Sequence, residues 1–212
     1  MNRRAIQGLV AAVLLMTVQA TSAGNAGGVL VARWDGPIGP VTADYIASEI
    51  NHANDVSADL FVLGLDTPGG LDTAMRDIVK AIHASRVPVL VWVGPSGSRA
   101  ASAGCVIGIA AHLLAMAPGT NIGAAHPVAV GGGSMDSTMA AKVAQDAEAY
   151  IEALARERGR NEEWARQSVV NSVSVSAEKA VELKVADFMA KDIDGVIEKA
   201  RGRTVTTAAG EL

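Results

Sequence analysis

Short apolar runs alternate with helix-patterned stretches along most of this chain, and that alternation limits the fold more than any other feature. Residues 29–34 (VLVARW), 60–65 (LFVLGL) and 87–93 (VPVLVWV) read as strands. The first ends at the turn signal Asp35-Gly36-Pro37. Between them, residues 42–54 predict a helix capped by Thr42, with Ile46 and Ile50 inward. Residues 71–85 predict another, with Met75, Ile78, Val79 and Ile82 at i, i+3, i+4 and i+7. Strands and helices of these lengths in alternation predict an α/β domain with a parallel sheet and crossover connections.

Further along, residues 100–111 are all small or apolar and predict a helix buried on every side. Residues 113–117 and 121–128 predict two short strands, and Gly131-Gly132-Gly133 predicts a flexible break. A long helix is expected over 137–158, with Met139, Val143, Ala147, Tyr150, Ile151 and Leu154 along one face. Ser176 should cap the next helix, followed by a strand over 185–190 and a helix over 193–200. The expected organisation is one domain over 24–202 and a loose tail over 203–212.

Residues 1–23 carry Arg3 and Arg4, the apolar stretch 9–16 and the small residues Ala20-Thr21-Ser22-Ala23. That order predicts a signal peptide cut after Ala23, with an uncleaved anchor as the other option, and so an exported domain. Half of the chain is hydrophobic but only 3% is aromatic, which suits tight helix–sheet layers. A net charge of −4 without a basic run argues against a nucleic-acid partner. Cys105 is the single cysteine, so no internal disulfide is possible, and a buried thiol is the plain reading.

Two segments carry the chemistry. Asp66-Thr67-Pro68-Gly69-Gly70 follows the second strand, and Ala100-Ala101-Ser102-Ala103-Gly104 follows the third. A glycine turn presents backbone N–H groups, and a serine at the head of a helix presents a hydroxyl at the positive end of the helix dipole. Together they form the parts of an acyl-transfer site, with Ser102 as nucleophile and Gly69, Gly70 and the N–H of Ala103 as the oxyanion hole. For the base, Lys142 borders the apolar stripe of the long helix, and His126 follows a strand. Intrinsic basicity favours His126, and the residues alone leave both open. Asp136, Asp146 and Glu148 show no metal-ligand spacing with His126, and no phosphate loop is present, so neither metal nor cofactor is expected.

Residues 66–70 (DTPGG), 98–104 (SRAASAG) and 115–127 (AMAPGTNIGAAHP) together strongly resemble the NfeD family, also called nodulation efficiency protein D, the membrane-bound serine proteases of the ClpP class. The resemblance implies a ClpP/crotonase fold and a serine–lysine dyad, which by motif position is Ser102 and Lys142. It implies that His126, placed where ClpP peptidases carry their catalytic histidine, lines the site or stands as an alternative base. It further implies an endopeptidase acting on the hydrophobic C-terminus of a stomatin-like membrane protein, and a homodimer or higher oligomer. Longer members continue into membrane helices and an OB-like barrel, so the chain is expected to be a short secreted form or part of a longer protein. The rival reading keeps the fold but only binds a stomatin-like partner. Crotonase-type acyl-CoA chemistry is disfavoured by the export signal and by the serine.

Overall fold

The computed structural model describes residues 27–128 and 136–212. The export segment and the Gly131–Gly133 break of the sequence reading lie outside the described residues. β1 (Val29–Asp35) leads into α1 (Pro40–Asp55), β2 (Leu60–Asp66), α2 (Asp72–Ala84) and β3 (Val89–Val93). β4 (Arg99–Ala101), α3 (Ala103–Ala110), β5 (Leu113–Met116) and β6 (Asn121–Gly123) follow. The second half contains α4 (Ser137–Glu157), α5 (Glu162–Val170), β7 (Ser174–Ser176), α6 (Ala177–Glu182), β8 (Phe188–Met189), α7 (Ile193–Ala200) and a hairpin of β9 (Thr206–Thr207) and β10 (Gly210–Glu211).

The main sheet has the order β1-β2-β3-β5-β8, every neighbouring pair parallel. Strand periodicity divides its side chains between two cores. Phe61, Leu63, Leu65, Val89, Val91 and Val93 pack with Ile46, Ile50, Ile78 and Ile107 from α1, α2 and α3. On the other face Leu60, Val62, Leu90, Trp92 and Phe188 pack with Val196 of α7. Burial on both faces explains why β2 and β3 read as unbroken apolar runs.

Every residue of α3 is buried, as its composition predicts. Its last carbonyls therefore need partners from the protein. Arg158 Nε donates to Ala110 O at 2.8 Å, and Arg160 Nη1 to Ile109 O at 3.1 Å and Ala111 O at 2.9 Å. Arg160 Nη2 donates to Asp187 Oδ2 at 2.8 Å, and Leu114 N–H reaches the same oxygen at 2.6 Å. Burial lowers the Arg160 pKa, and Asp187 opposes that shift. Removing one partner of such a pair costs about 3–5 kcal/mol. The two arginines also place positive charge at the negative end of the α3 dipole.

The structure corrects several expectations. The helix expected over 100–111 begins at Ala103, because Ala100 is drawn into a ladder: Thr67 N–H donates to Arg99 O at 2.8 Å and Ala101 N–H to Thr67 O at 3.1 Å. β4 joins β6 and β7 in a second sheet that the pattern did not announce. The strand expected over 121–128 stops at Gly123, and the one over 185–190 is only Phe188–Met189. Gly39, not Thr42, caps α1, and Thr42 Oγ1 accepts from the Gly39 N–H at 3.3 Å. Ser176 does cap α6. The expected loose tail is instead a docked hairpin: Ala208 N–H donates to Ser85 O at 3.0 Å and Thr207 Oγ1 to Arg86 O at 3.2 Å.

Candidate active site

The site forms where β2 ends and the second sheet begins. At the Asp66–Gly70 turn, Gly69 N–H donates to Thr67 Oγ1 at 3.1 Å, which locks the turn from within. Ile38 N–H donates to Gly69 O at 2.8 Å and Leu71 N–H to Ile38 O at 2.9 Å, so the turn is also tied to the segment before α1. Both glycines are required by their surroundings. Gly69 has φ +117, and a Cβ there would stand 2.6 Å from Ser102 Cβ and 3.1 Å from its Oγ. A Cβ on Gly70 would meet Ile38 O at 2.0 Å.

Ser102 is the hinge residue between β4 and α3, with φ 54 and ψ −115. A non-glycine residue in that region is strained and persists only where its surroundings hold it. Here they do: Ser102 N–H donates to Gly123 O at 2.9 Å, and Ser102 O accepts from Cys105 N–H at 2.9 Å. The hydroxyl makes no capping bond to α3. A serine on a sharp strand-to-helix turn, with no hydrogen bond to its hydroxyl among the described residues, has the backbone geometry that exposes a nucleophile.

The structure thus brings Gly69, Gly70, Ser102 and Ala103 together from two segments. It also sorts the donors. Gly69 N–H is committed to Thr67, whereas Gly70 N–H and Ala103 N–H have no acceptor among the described residues. Ala103 is the first residue of α3, so its N–H also lies at the positive end of the dipole.

The two candidate bases differ in how they are held. His126 is an exposed residue close in sequence to Gly123, and its Nδ1 lies 2.8 Å from Val169 O. A carbonyl can only accept, so Nδ1 carries the proton and the ring is oriented by that bond. Lys142 lies in the second turn of α4, exposed, with no hydrogen bond or ion pair among the described residues. α4 is capped by Asp136, which accepts from Thr138 N–H at 2.9 Å and Met139 N–H at 3.1 Å, and it packs on α3. Sequence reasoning missed two supports: the Thr67 lock and the Gly123 carbonyl. Among the described residues no cluster of His, Cys, Asp or Glu is arranged for a metal.

A parallel sheet flanked by helices, with a smaller sheet beside it, is the architecture of ClpP-type proteins. The ClpP1 structure from Listeria monocytogenes superposes with a TM-score of 0.63 over 78% of this chain and 94% of that one, at 19% identity, and supports the fold alone. Residues 35–203 match the family model described as NfeD1b, N-terminal domain, and the chain belongs to that family. Membrane-bound protease PH1510 of Pyrococcus horikoshii is 39% identical over 176 residues, 82% of this chain and 40% of that protein. Membrane protein NfeD1b of Bacillus subtilis is 37% identical over 83 residues, 39% of this chain and 18% of that protein. The chain spans less than half the length of either. Among solved structures, a serine-to-alanine mutant of the 1510-N membrane-bound stomatin-specific protease matches with a TM-score of 0.80 and 35% identity, over 86% of this chain and 89% of that one. A lysine-to-alanine mutant of 1510-N in complex with a substrate peptide matches with a TM-score of 0.79 and 34% identity, over 86% and 84%.

Proposed function

We propose that this chain is an exported serine endopeptidase in which Ser102 is the nucleophile, Lys142 the general base, and the N–H groups of Gly70 and Ala103 the oxyanion hole. The observation that carries the reading is the strained Ser102, which lies against a glycine turn and whose hydroxyl, like the Gly70 N–H, has no hydrogen-bond partner among the described residues. The 1510-N structures support it too: the serine and the lysine replaced there are separated by nearly the same chain length as Ser102 and Lys142.

In the proposed reaction Ser102 Oγ attacks the peptide carbonyl carbon while Lys142 Nζ takes the hydroxyl proton. The carbonyl oxygen gains the negative charge, and the two N–H groups hold it where the charge develops. Lys142 returns the proton to the departing amine as the C–N bond breaks, leaving an ester on Ser102. A water, deprotonated by Lys142, attacks the ester carbon; the bond from that carbon to Ser102 Oγ breaks, Lys142 returns the proton to Oγ, and the acid is released. No step requires a metal or cofactor. His126 lines the site, with the Val169 carbonyl holding the ring by Nδ1.

For substrate, the reading takes a hydrophobic segment of a stomatin-like membrane protein, as the name of the Pyrococcus relative indicates. Export rests on the signal pattern of residues 1–23, and assembly as a homodimer or higher oligomer on the ClpP-type fold. The test measures cleavage of a peptide from a stomatin-like hydrophobic C-terminus by the mature chain and by Ser102→Ala, Lys142→Ala and His126→Ala. Loss of about three orders of magnitude or more in each of the first two variants, with His126→Ala active, is the expected result. Activity in Lys142→Ala and loss in His126→Ala moves the base to histidine. A wild-type chain that binds the peptide without cutting it makes the domain a binding partner only.

A further inference from the structure

The buried face of α4 is confined to its C-terminal third. Ile151, Leu154 and Ala155 are its buried residues, while Ser137, Thr138, Met139, Ala141 and Lys142 stand exposed. The turn that carries Lys142 therefore projects beyond the helix's core anchor. Arg76 of α2 bridges to this helix beside the Lys142 turn, and Arg166 of α5 pairs with Glu148 further along. Arg76 Nη2 contacts Asp146 Oδ2 at 2.5 Å, one turn from Lys142 on the same helix face. Its Nε meets Asp72 Oδ2 at 2.9 Å, and its guanidinium carbon lies 4.2 Å from the centroid of the Tyr150 ring. Asp72 opens α2 directly after the Gly69-Gly70 turn.

We infer that Arg76 is a positioning residue for the base: it ties the Lys142 turn of α4 to the oxyanion turn and keeps the Asp146 carboxylate occupied, so that Asp146 does not pair with Lys142. The inference rests on the serine–lysine reading above. Two parts of the geometry carry it. Asp146 stands at i+4 from Lys142, the spacing at which a carboxylate and an ammonium meet on a helix surface. Arg76 occupies that carboxylate from another element, and Asp72 and Tyr150 in turn hold Arg76 in place. Among the described residues, the charged and titratable groups facing the Arg76–Asp146 pair are Asp72 from α2 and Tyr150 from α4, with Lys142 one turn away. A carboxylate released onto Lys142 would stabilise the ammonium, the form that cannot accept the serine proton.

The experiment compares the full mature chain with Arg76→Met, Asp146→Asn and the double variant, reading kcat, KM and the pH dependence of kcat/KM on the same peptide. Thermal unfolding confirms that each variant is folded. Arg76→Met should lower kcat by about tenfold or more through misplacement of the base, with KM changed much less. Its rise of kcat/KM with pH should move to higher pH by about half a unit, because an exposed carboxylate partner now favours the charged amine. Adding Asp146→Asn removes that partner, so the double variant should regain the wild-type pH profile while the positioning loss in kcat remains. Wild-type kcat and pH profile in a folded Arg76→Met chain overturn the inference. So does a pH profile in the double variant equal to that of Arg76→Met. Full activity in Lys142→Ala is a different failure, that of the dyad itself, and the two are separated by that control.

Discussion

Ser102 should be a site where stability has been given up for geometry, and replacing it in two ways isolates the cost. Its backbone sits at φ 54 and ψ −115, and its hydroxyl caps nothing in α3. Ser102→Ala therefore removes the proposed nucleophile but retains the Cβ that makes this conformation costly. Ser102→Gly removes both. A non-glycine residue in such a region costs about 1–3 kcal/mol. Glycine's greater freedom in the unfolded chain offsets about 0.5–1 kcal/mol of the gain. Ser102→Gly should then be more stable than Ser102→Ala by about 1 kcal/mol, or roughly 2–4 °C in Tm for a domain of this size. Both proteins lack the hydroxyl, so self-cleavage does not distort the comparison. Calorimetry or urea unfolding of the pair gives the difference directly. An alanine variant as stable as the glycine variant, or more so, would refute the reasoning, since the backbone would then carry no strain for glycine to relieve.

Other expectations follow from separate features. Gly70→Ala puts a methyl 2.0 Å from Ile38 O, so one or both of the Ile38 N–H to Gly69 O and Leu71 N–H to Ile38 O bonds must yield. The variant should lose about 2 kcal/mol in denaturant unfolding and at least roughly a hundredfold in kcat; wild-type values for both would remove Gly70 from the oxyanion turn. His112 accepts the Val89 N–H on Nδ1, and burial first, then the nearby Arg158, lowers its pKa from 6.5 to about 3. Its folded pKa lies below its unfolded value, so its contribution is complete above pH 6.5 and is lost as pH falls toward 3. Between pH 7 and 5 this one group should remove about 2 kcal/mol, and His112→Asn should flatten that part of the pH–stability curve. Burial pushes the Cys105 thiol up to about 12, so a maleimide should label it only after unfolding; rapid native labelling would contradict its burial.

The main sheet was legible because its information is local. Leu60 to Leu65 is apolar at every position since both faces of β2 are covered, and the helix over 71–85 shows its buried stripe in Met75, Ile78, Val79 and Ile82. The glycine turn and the serine were visible as residue types, but the form of the serine turn was not. Ala100 and Ala101 prefer a helix by propensity, and only the distant backbones of Thr67 and Ile122 turn them into a strand. α5 was missed although Asn161, which caps Trp164 N–H at 2.8 Å, and Glu162 and Glu163 in its first turn were readable start signals. The Arg76–Asp146 link, the α3 arginine clamps and the docked tail each join residues far apart in sequence. No windowed pattern carries that information.

The shape of Ser102 also depends on chain that is made long after it. Ser102 takes its shape partly from the Gly123 carbonyl, and Gly123 is seated in β6 against Ser174 of β7. The far end of α3 is closed by Arg158, Arg160 and Asp187. A polypeptide emerging from the ribosome, or threading through a translocation pore, carries Ser102 early but lacks the residues that bend and brace it until most of its length is free. On the proposed reading the enzyme is silent while it is being made and delivered, with no need for a removable pro-segment to keep it so.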